Sequence, residues 1–450
     1  MIHADENKHH LTNMTTMTDL TTLYRIFLQS TGVTTDSRRC PAGSLFFALR
    51  GETFDGNAFA AQALKDGCAY AVIDNPKYLP EGDARYLLVD DTLKALQGLA
   101  RHHRRALGTP VIGITGTNGK TTTKELMAAV LSRKYHLHYT QGNLNNHIGV
   151  PLTLLGLRPE HQLAVIEMGA SHPGDIRELV DIAEPDYGLI TNVGRAHLEG
   201  FGSFEGVIRT KGELFDYLRE KGGATVFVHD DNPYLKEMAH DLKQVCYGTQ
   251  AGLYVSGQMT GNSPCLALQW KAEGDTEAHP VQTRLIGEYN LPNALAAITV
   301  GHYFHVPAEQ IDQALEGYTP HNNRSQLVRT ADNTLIVDAY NANPTSMRAA
   351  IDNFHKMQAG HKMLILGDMR ELGAESPALH QEIVDHLEAC GFEDVVLVGT
   401  QFAATRHRYP TYPDAPALIA ELRAHRPTGK TILIKGSNGM HLNTVAEALE

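Results

Sequence analysis

The stretch GITGTNGKTTT, at Gly113–Thr123, decides the fold of the middle of the chain. An apolar run from Val111 leads into it and suits a buried strand, and the residues after it have apolar side chains at helical spacing. A strand, a glycine-rich turn and a helix start bring backbone N–H groups to face phosphate oxygens. Lys120 adds a positive charge, and Thr121 offers a hydroxyl to Mg²⁺. The stretch therefore predicts a nucleotide site, against the alternative of an ordinary glycine-containing turn.

The glycine spacing departs from the general phosphate-loop pattern, G-x-x-x-x-G-K-[ST]. Five places before Gly119 the chain has Ile114, and the nearest glycines are Gly113 and Gly116. The loop alone therefore supports nucleotide binding and does not specify what the nucleotide is for.

Three charged or ionisable side chains downstream are candidates for the metal site and the chemistry. Glu167 ends the apolar strand candidate LAVIE, and a carboxylate there is costly to bury unless it is paired or metal-bound. It is therefore predicted to hold Mg²⁺, the alternative being an exposed carboxylate at a strand end. His197 follows a further strand candidate, and Lys211 lies in a helical segment. Taken alone, each of these two is more often structural or exposed.

Two asparagines and an arginine further along have two interpretations each. Asn290 and Asn293 lie three residues apart at a helix start, where they can cap the helix or hydrogen-bond a base, and capping is the default expectation. Arg324 lies near a domain junction, where it can reach a transferred phosphate or form an ordinary ion pair.

The composition limits the function classes. A formal net charge of −12 argues against a nucleic-acid binder but is compatible with small anionic ligands. The five cysteines are scattered without a C-x-x-C pair, which suits a reducing cytoplasm. No apolar run is long enough for a membrane span. The polar N-terminus is not a signal peptide, and residues 1–16 are expected to be a disordered extension or to precede a start at Met17.

Strand and helix candidates alternate along the chain, which predicts an α/β protein of three domains. Residues 17–109 form a small domain with SLFFALRG as a strand, followed by a helix, a turn and a strand. Residues 110–318 form a central domain with the phosphate loop on a mostly parallel sheet. Residues 319–450 carry four apolar strand candidates, TLIVD, KMLIL, EDVVLVG and KTILIK. We expect them to form a Rossmann-like domain with ligands at the carboxyl ends of its strands.

Together these segments resemble the Mur ligase family, the ATP-dependent amide ligases of peptidoglycan synthesis, from about Thr34 onward. The family loop is typically G-T-x-G-K-T-T, so the unusual glycine spacing fits this family. The other segments that carry the resemblance are TDSRRCPAGSLFFALRGETFDGNAF, GNLNNHIGVPLTLL, EMGASHPGDI, TNVGRAHLEGFGS, DAYNANPTSM, LGDMRELG and KGSNGMHL. They are most similar to the branch that adds D-alanyl-D-alanine. His147 stands where many members have an acidic residue.

The resemblance implies roles for the matched residues. The ATP site would comprise Gly116, Thr117, Asn118, Gly119, Lys120, Thr121, Thr122, Asn290, Asn293, Arg324 and Asp338, with the two asparagines near adenine and Asp338 near the ribose. The catalytic groups would be Lys120, Lys211, His197 and Arg324. Two Mg²⁺ ions would be held by Thr121, Glu167, His197 and a carbamylated Lys211, because CO₂ addition turns an ammonium that repels the metal into an anion. The substrate contacts would be Thr35, Asp36, Ser37, Arg38, Asn143, Asn145, Asn146, Tyr340, Asn341 and Asn343.

The implied partners are two small molecules, UDP-N-acetylmuramoyl-tripeptide and D-alanyl-D-alanine, acted on by a cytoplasmic monomer. The tripeptide carboxylate would attack ATP to give an acyl phosphate, which the dipeptide amine would convert to an amide. Two alternatives are a sister ligase, of the third-residue or folylpolyglutamate type, and a non-catalytic nucleotide-binding protein. The TDSR and FFALRG segments argue against the folate branch, and DAYNANPTS replaces the D-Y-A-H-T-P-D common in the third-residue branch. The retained Lys120, Glu167, His197 and Lys211 argue against a non-catalytic protein.

Overall fold

Two units make up the chain in the computed structural model, which describes residues 17–262, 264–320 and 324–450. One unit comprises the residues up to 107 together with 154–157, and the other comprises 108–153 and 158–450. The expected extension at residues 1–16 lies outside the described residues, as do residues 321–323 beside Arg324.

The N-terminal unit is built on a parallel sheet of four strands in the order β1-β2-β3-β4. Its elements are α1 (Leu20–Gln29), β1 (Val33–Thr34), β2 (Leu45–Phe47), α2 (Ala60–Lys65), β3 (Tyr70–Ile73), β4 (Tyr86–Leu88) and α3 (Thr92–Leu107). The strand predicted in SLFFALRG is present as β2, whose three side chains are all buried. The predicted helix, turn and strand are present as α2 and β3, so this part of the α/β prediction is confirmed.

The second unit contains a nine-stranded sheet in the order β13-β12-β11-β10-β9-β8-β5-β7-β6. Its strands are β5 (Val111–Thr115), β6 (Leu137–Tyr139), β7 (Leu163–Glu167), β8 (Tyr187–Ile190), β9 (Thr225–His229), β10 (Lys243–Gly248), β11 (Val255–Asn262), β12 (Cys265–Ala272) and β13 (His279–Ile286). The pairings from β6 through to β11 are parallel. The β11–β12 and β12–β13 pairings are antiparallel. The sheet is mostly parallel, as predicted, with an antiparallel edge that the prediction did not include.

Eight helices accompany this sheet in the described residues. They are α4 (Lys120–Leu131), α5 (Gly149–Leu154), α6 (Asp175–Ala183), α7 (Leu198–Phe201), α8 (Phe204–Lys221), α9 (Pro233–Ala239), α10 (Leu291–Tyr303) and α11 (Ala308–Gly317). Apolar side chains of α4, α10 and α11 join those of the central strands in one buried cluster. Helix α10 is apolar almost all round, as its sequence LPNALAAITVGHY requires for a helix buried on most sides.

A six-stranded sheet in the order β14-β15-β19-β16-β17-β18 completes the second unit. Its elements are β14 (Gln326–Arg329), β15 (Thr334–Asp338), α12 (Pro344–Lys356), β16 (His361–Gly367), α13 (Ser376–Ala389), β17 (Val395–Val398), α14 (Thr400–Ala403), β18 (Thr411–Tyr412), α15 (Ala415–Ala424), β19 (Lys430–Lys435) and α16 (Asn443–Leu449). The four predicted strands are β15, β16, β17 and β19. The prediction missed the two edge strands, antiparallel β14 and two-residue β18.

The carboxyl ends of the parallel strands carry the polar residues singled out in the sequence. Glu167 ends β7 beside the strand that leads into the phosphate loop, and Asp338 and Lys435 end the paired strands β15 and β19. Buried residues of α7, α8 and β13 share one apolar cluster with α12 and β16, so the two sheets of this unit have a common core. In the described part of the chain, no helix combines the length and apolar character needed to cross a bilayer.

Candidate active site

Two glycines shape the loop between β5 and α4. Gly116 and Gly119 have φ angles of +138° and +79°, which L side chains rarely adopt. A Cβ atom on Gly116 would lie 2.0 Å from Oγ1 of Thr191, and one on Gly119 would lie 2.5 Å from Oδ1 of Asn293. Backbone conformation and space therefore both require glycine at these two positions.

Lys120 is the first residue of α4, and the loop surrounds its ammonium group. Nζ donates hydrogen bonds to the carbonyls of Gly116 at 2.6 Å and Thr117 at 3.0 Å. Burial lowers the pKa of Lys120 to about 8; the carboxylate of Glu167 opposes this shift and the charge of Arg324 adds to it. At neutral pH the group therefore stays mostly protonated, and it places a positive charge beside the free N–H groups of the helix start.

Glu167 is buried at the end of β7, which excludes the alternative of an exposed carboxylate. Its Oε1 accepts hydrogen bonds from Oγ1 of Thr121 at 3.0 Å and from Nδ2 of Asn145 at 2.8 Å. Its Oε2 is buried and accepts no hydrogen bond from the described residues. A buried carboxylate oxygen without a hydrogen bond is costly, and a metal ion would satisfy it.

Lys124 supplies the charge that faces this unsatisfied oxygen. Its side chain is fully buried one helical turn after Lys120, with Nζ 3.7 Å from Oε2 of Glu167 and 3.0 Å from Oε1 of Glu125. Nζ also donates to the carbonyl of Gly142 at 3.3 Å. Lys124 was not among the predicted site residues, because a lysine within a helix is usually exposed.

His197 lies between β8 and α7 in a strained backbone conformation. Its φ angle is +50°, and that of Glu371 is +66°, both unusual for residues other than glycine. Nδ1 of His197 is 2.5 Å from Oε2 of Glu371, and this pairing lowers the pKa of the Glu371 carboxyl group. The contact joins the central sheet to the LGDMRELG segment of the C-terminal sheet.

Lys211 lies on α8 with its side chain buried, so it is not an exposed lysine. Its Nζ is 3.4 Å from the carbonyl oxygen of Ala170 and 5.2 Å from the ring centroid of Phe201. Burial is the main cause that holds its pKa well below the usual lysine range, and the charge of Lys120 acts in the same direction. This environment favours the neutral amine over the ammonium, and the neutral amine is the form that acts as a nucleophile.

Asn290 and Asn293 do not cap α10. Asn290 occupies the N-cap position, but its side chain makes no capping hydrogen bond and instead donates to the carbonyl of Ile286 at 2.8 Å. Nδ2 of Asn293 donates to Oδ1 of Asn290, and Oδ1 of Asn293 accepts from Oγ1 of Thr123. The capping expectation was wrong because the two amides bond to each other and to α4.

Arg324 stacks on an aromatic ring in the cavity. Its guanidinium carbon is 3.6 Å from the ring centroid of Tyr340, a distance typical of a cation–π contact. Nearby, Nζ of the buried Lys435 is 2.6 Å from Oδ2 of Asp338 and donates to the carbonyl of Asn341. Lys435 was not predicted, although it follows the apolar run TILI just as Glu167 follows LAVI.

Asn343 connects the C-terminal sheet to the phosphate loop. Its side chain caps α12 in a capping box with Ser346, and its Nδ2 donates to Oδ1 of Asn118 at 2.7 Å. The Asn118 backbone N–H in turn donates to Oδ1 of Asn192 at 3.0 Å, so strand ends of both sheets hold the loop.

A cavity of about 840 Å³ lies in the second unit, and most of the residues described above line it. The predicted residues that line it are Thr117, Asn118, Gly119, Lys120, Thr121, Thr122, Asn145, Asn146, Glu167, His197, Asn290, Asn293, Arg324, Asp338, Tyr340 and Asn341. Gly116, Asn143, Lys211 and Asn343 lie outside the lining. The remaining four, Thr35, Asp36, Ser37 and Arg38, belong to the N-terminal unit, where Asp36 forms an exposed ion pair with Arg38.

Three family profiles match consecutive parts of the chain. The Mur ligase family catalytic domain matches residues 29–104, the Mur ligase middle domain matches 114–301, and the glutamate ligase domain of Mur ligases matches 323–438. A Bacillus subtilis (strain 168) protein named UDP-N-acetylmuramoyl-tripeptide–D-alanyl-D-alanine ligase is 37% identical over 430 residues, 93% of each chain.

Solved structures show the same similarity. The crystal structure of MurF from Acinetobacter baumannii has a TM-score of 0.80 and 32% identity, covering 93% of this chain and 92% of that one. The MurF ligase from Thermotoga maritima in complex with ADP has a TM-score of 0.82 and 26% identity, covering 94% and 97%. The α/β architecture with its parallel-rich sheets agrees with these structures.

Proposed function

Because the chain belongs to the Mur ligase family, we propose that it joins D-alanyl-D-alanine to UDP-N-acetylmuramoyl-tripeptide at the expense of ATP. The product is the UDP-linked pentapeptide. The observation that carries the proposal is that one cavity is lined by the phosphate loop, by the buried Glu167, and by Arg324 and Asp338 from the C-terminal part of the chain. A relative with this activity in its name aligns over 93% of the chain at 37% identity.

The reaction runs in two balanced steps. The terminal carboxylate of the tripeptide attacks the γ-phosphorus of ATP, which forms an acyl phosphate and releases ADP. The dipeptide amine then attacks the acyl carbon, which forms the amide and releases phosphate and a proton.

The carboxylate and ATP repel each other, so the site needs positive charge. Lys120 and Arg324, which line the same cavity, supply it. Asn290 and Asn293 lie beside the phosphate loop. Asp338 and Arg324 line the same cavity, on the side where we place the nucleotide.

The donor set fits Mg²⁺. Oε2 of Glu167 is buried without a hydrogen bond, and Oγ1 of Thr121 lies 3.0 Å from the other oxygen of the same carboxylate. Oxygen donors of this kind are those Mg²⁺ prefers. We assign the first ion to Thr121 and Glu167 and the second to His197 with a carbamylated Lys211. Mg²⁺ held by these residues would supply positive charge that offsets the charge of the phosphates.

Carbamylation of Lys211 is supported by its environment. The side chain is buried and its pKa is held well below the usual range, chiefly by burial, which favours the neutral amine that reacts with CO₂. The nearby charge of Lys120 also favours an anionic carbamate over an ammonium at this position.

The proposal extends to substrate contacts and organisation. We assign the UDP-sugar to Thr35, Asp36, Ser37 and Arg38, the remainder of the linked substrate to Asn143, Asn145 and Asn146, and the closed site to Tyr340, Asn341 and Asn343. We further propose three domains at 17–109, 110–318 and 319–450, a monomer, and a cytoplasmic location, where both ATP and a UDP-linked substrate are available.

An ADP-release assay tests the proposed function. We expect release to require ATP, UDP-N-acetylmuramoyl-tripeptide and D-alanyl-D-alanine together, and to be lost in Lys120→Ala. A second reaction mixture contains a UDP-linked dipeptide instead of the tripeptide, and a single amino acid instead of D-alanyl-D-alanine. Sustained ADP release in that mixture would assign the chain to the third-residue branch instead. Near-normal turnover in Lys120→Ala would refute the role of the loop.

A further inference from the structure

A second group of metal-ligand side chains lies on the C-terminal sheet's helices. Among residues 17–262, 264–320 and 324–450, Asp352, His386 and Cys390 are the one set of three His, Cys, Asp or Glu residues whose ligand atoms all lie within 4.8 Å of one another. All three are half-buried. Asp352 lies on α12, and His386 and Cys390 lie four residues apart at the end of α13, on one face of that helix.

The three donor atoms converge on one edge of the imidazole. Nε2 of His386 is 2.6 Å from Oδ1 of Asp352 and 3.8 Å from Sγ of Cys390. In a nucleophilic triad the acid and the nucleophile contact opposite ring nitrogens. Here Asp352 and Cys390 both contact Nε2 of His386, so the three residues do not have the geometry of a catalytic proton relay. Ligands around a shared cation have this arrangement.

The nitrogen–sulfur separation is close to that of a tetrahedral zinc site, whereas the nitrogen–oxygen separation is that of a hydrogen bond and must widen. Bond lengths of about 2.0–2.1 Å to nitrogen, 2.3 Å to sulfur and 2.0–2.2 Å to oxygen place N and S about 3.6 Å apart, and N and O about 3.4 Å apart. The N–S distance already agrees within a few tenths of an ångström. The N–O distance must open by about 0.8 Å, which rotation of the partly exposed Asp352 carboxylate allows.

The other polar group at this place can move away. Nη1 of Arg348 is 3.4 Å from Nδ1 of His386, on the edge of the ring opposite the cluster. Arg348 is exposed and lies one helical turn before Asp352. Its guanidinium therefore does not block the convergent edge, and it can leave when Nδ1 carries the proton of the metal-bound tautomer.

We propose that Asp352, His386 and Cys390 form a binding site for a thiophilic divalent transition metal of the Zn²⁺ type, separate from the ATP cavity. Nitrogen, sulfur and carboxylate ligands together favour Zn²⁺ over Mg²⁺, and water completes the fourth position. Binding forms a metal–sulfur bond and releases the thiol proton to solvent. The ion links α12 to α13, and so stabilises the helix that Asn343 caps beside the phosphate loop.

Cobalt substitution tests the site without relying on turnover. Titration of the full-length, nucleotide-free protein with Co²⁺ should give a thiolate-to-cobalt charge-transfer band that saturates at one equivalent and disappears on addition of Zn²⁺. Co²⁺ in the ATP cavity has no thiolate ligand and gives no such band. Absence of the band in the unmodified protein would overturn the proposal.

Variants assign the band to these residues. Cys390→Ser should abolish it, and His386→Ala and Asp352→Asn should each weaken Co²⁺ binding at least tenfold. The matched control is Cys246→Ser, another half-buried cysteine, on β10, which should keep the full band. Circular dichroism of each variant separates misfolding from lost ligation. If Cys390→Ser fails to fold, the comparison of the unmodified protein with the His386→Ala variant decides the question. An unchanged band in Cys390→Ser, or an unchanged affinity in His386→Ala, would contradict the assignment.

Discussion

Replacing Lys124 with methionine should destabilise the protein while increasing its dependence on Mg²⁺ for stability. The methionine is close in length, so the change removes the charge with little change in packing. Nζ of Lys124 is 3.7 Å from Oε2 of Glu167, and both side chains are almost completely buried. At an effective dielectric constant of about 20, this separation corresponds to an attraction of about 4.5 kcal/mol.

The net cost is smaller than this attraction, because burying the ammonium is itself unfavourable. Removing one partner of a buried pair usually costs about 3–5 kcal/mol, since the other charge is left without compensation. We expect Lys124→Met to lose about 3 kcal/mol or more of unfolding free energy. Mg²⁺ with ADP should restore part of that loss, because the proposed ion would neutralise the same oxygen of Glu167 that the ammonium faces.

Urea unfolding with and without MgADP measures both effects. The matched control is Lys356→Met, which removes a lysine from an exposed ion pair with Glu288 at 2.8 Å. Exposed pairs contribute at most about 1 kcal/mol, so the control should change little. The reasoning is refuted if Lys124→Met loses no more than the control, or if MgADP stabilises both variants equally.

Three further predictions follow from the site. Gly119→Ala places a Cβ 2.5 Å from Oδ1 of Asn293 at a φ of +79°, so calorimetry should show ATP affinity reduced at least tenfold. The control Gly98→Ala, which has open space around its Cβ, should bind ATP normally. Lys211→Ala should release no ADP and regain part of its activity with added short carboxylates; full activity without them would exclude the carbamate. Burial lowers the pKa of Lys120 to about 8, and its proposed contact with phosphate needs the protonated form, so ATP affinity should change little from pH 7 to about pH 8 and fall up to tenfold per pH unit above that. A flat affinity profile from pH 7 to pH 10 would contradict that role.

Local patterns in the sequence were sufficient to predict the strand–loop–helix unit and to single out Glu167, which the structure buries at the end of its strand. Both depend on neighbours in the chain: glycines before a helix start, and a charge directly after an apolar run. The same rule applied to TILIK identifies Lys435. In CLALQWKA, Leu, Leu and Trp alternate with smaller or polar residues, which predicts a strand with two different faces, and the structure does bury every second residue of β12.

Contacts between distant parts of the chain could not be predicted in this way. Lys124 has the sequence environment of an exposed helical lysine, and only the packing of α4 beside β7 directs it to Glu167. The contact of Asn293 with Gly119 and Thr123 joins residues about 170 positions apart, and it replaced the helix cap that local propensity favours. The pairing of His197 with Glu371 also depends on how the two sheets meet.

Mass spectrometry of the reaction product is the most direct test of the central claim. Purified protein is incubated with ATP, Mg²⁺, UDP-N-acetylmuramoyl-tripeptide and D-alanyl-D-alanine. We expect a UDP-linked product heavier by one dipeptide less one water, with one ADP and one phosphate formed per product. ADP formation with no change in the mass of the UDP-linked substrate, or addition of a single alanine, would contradict it.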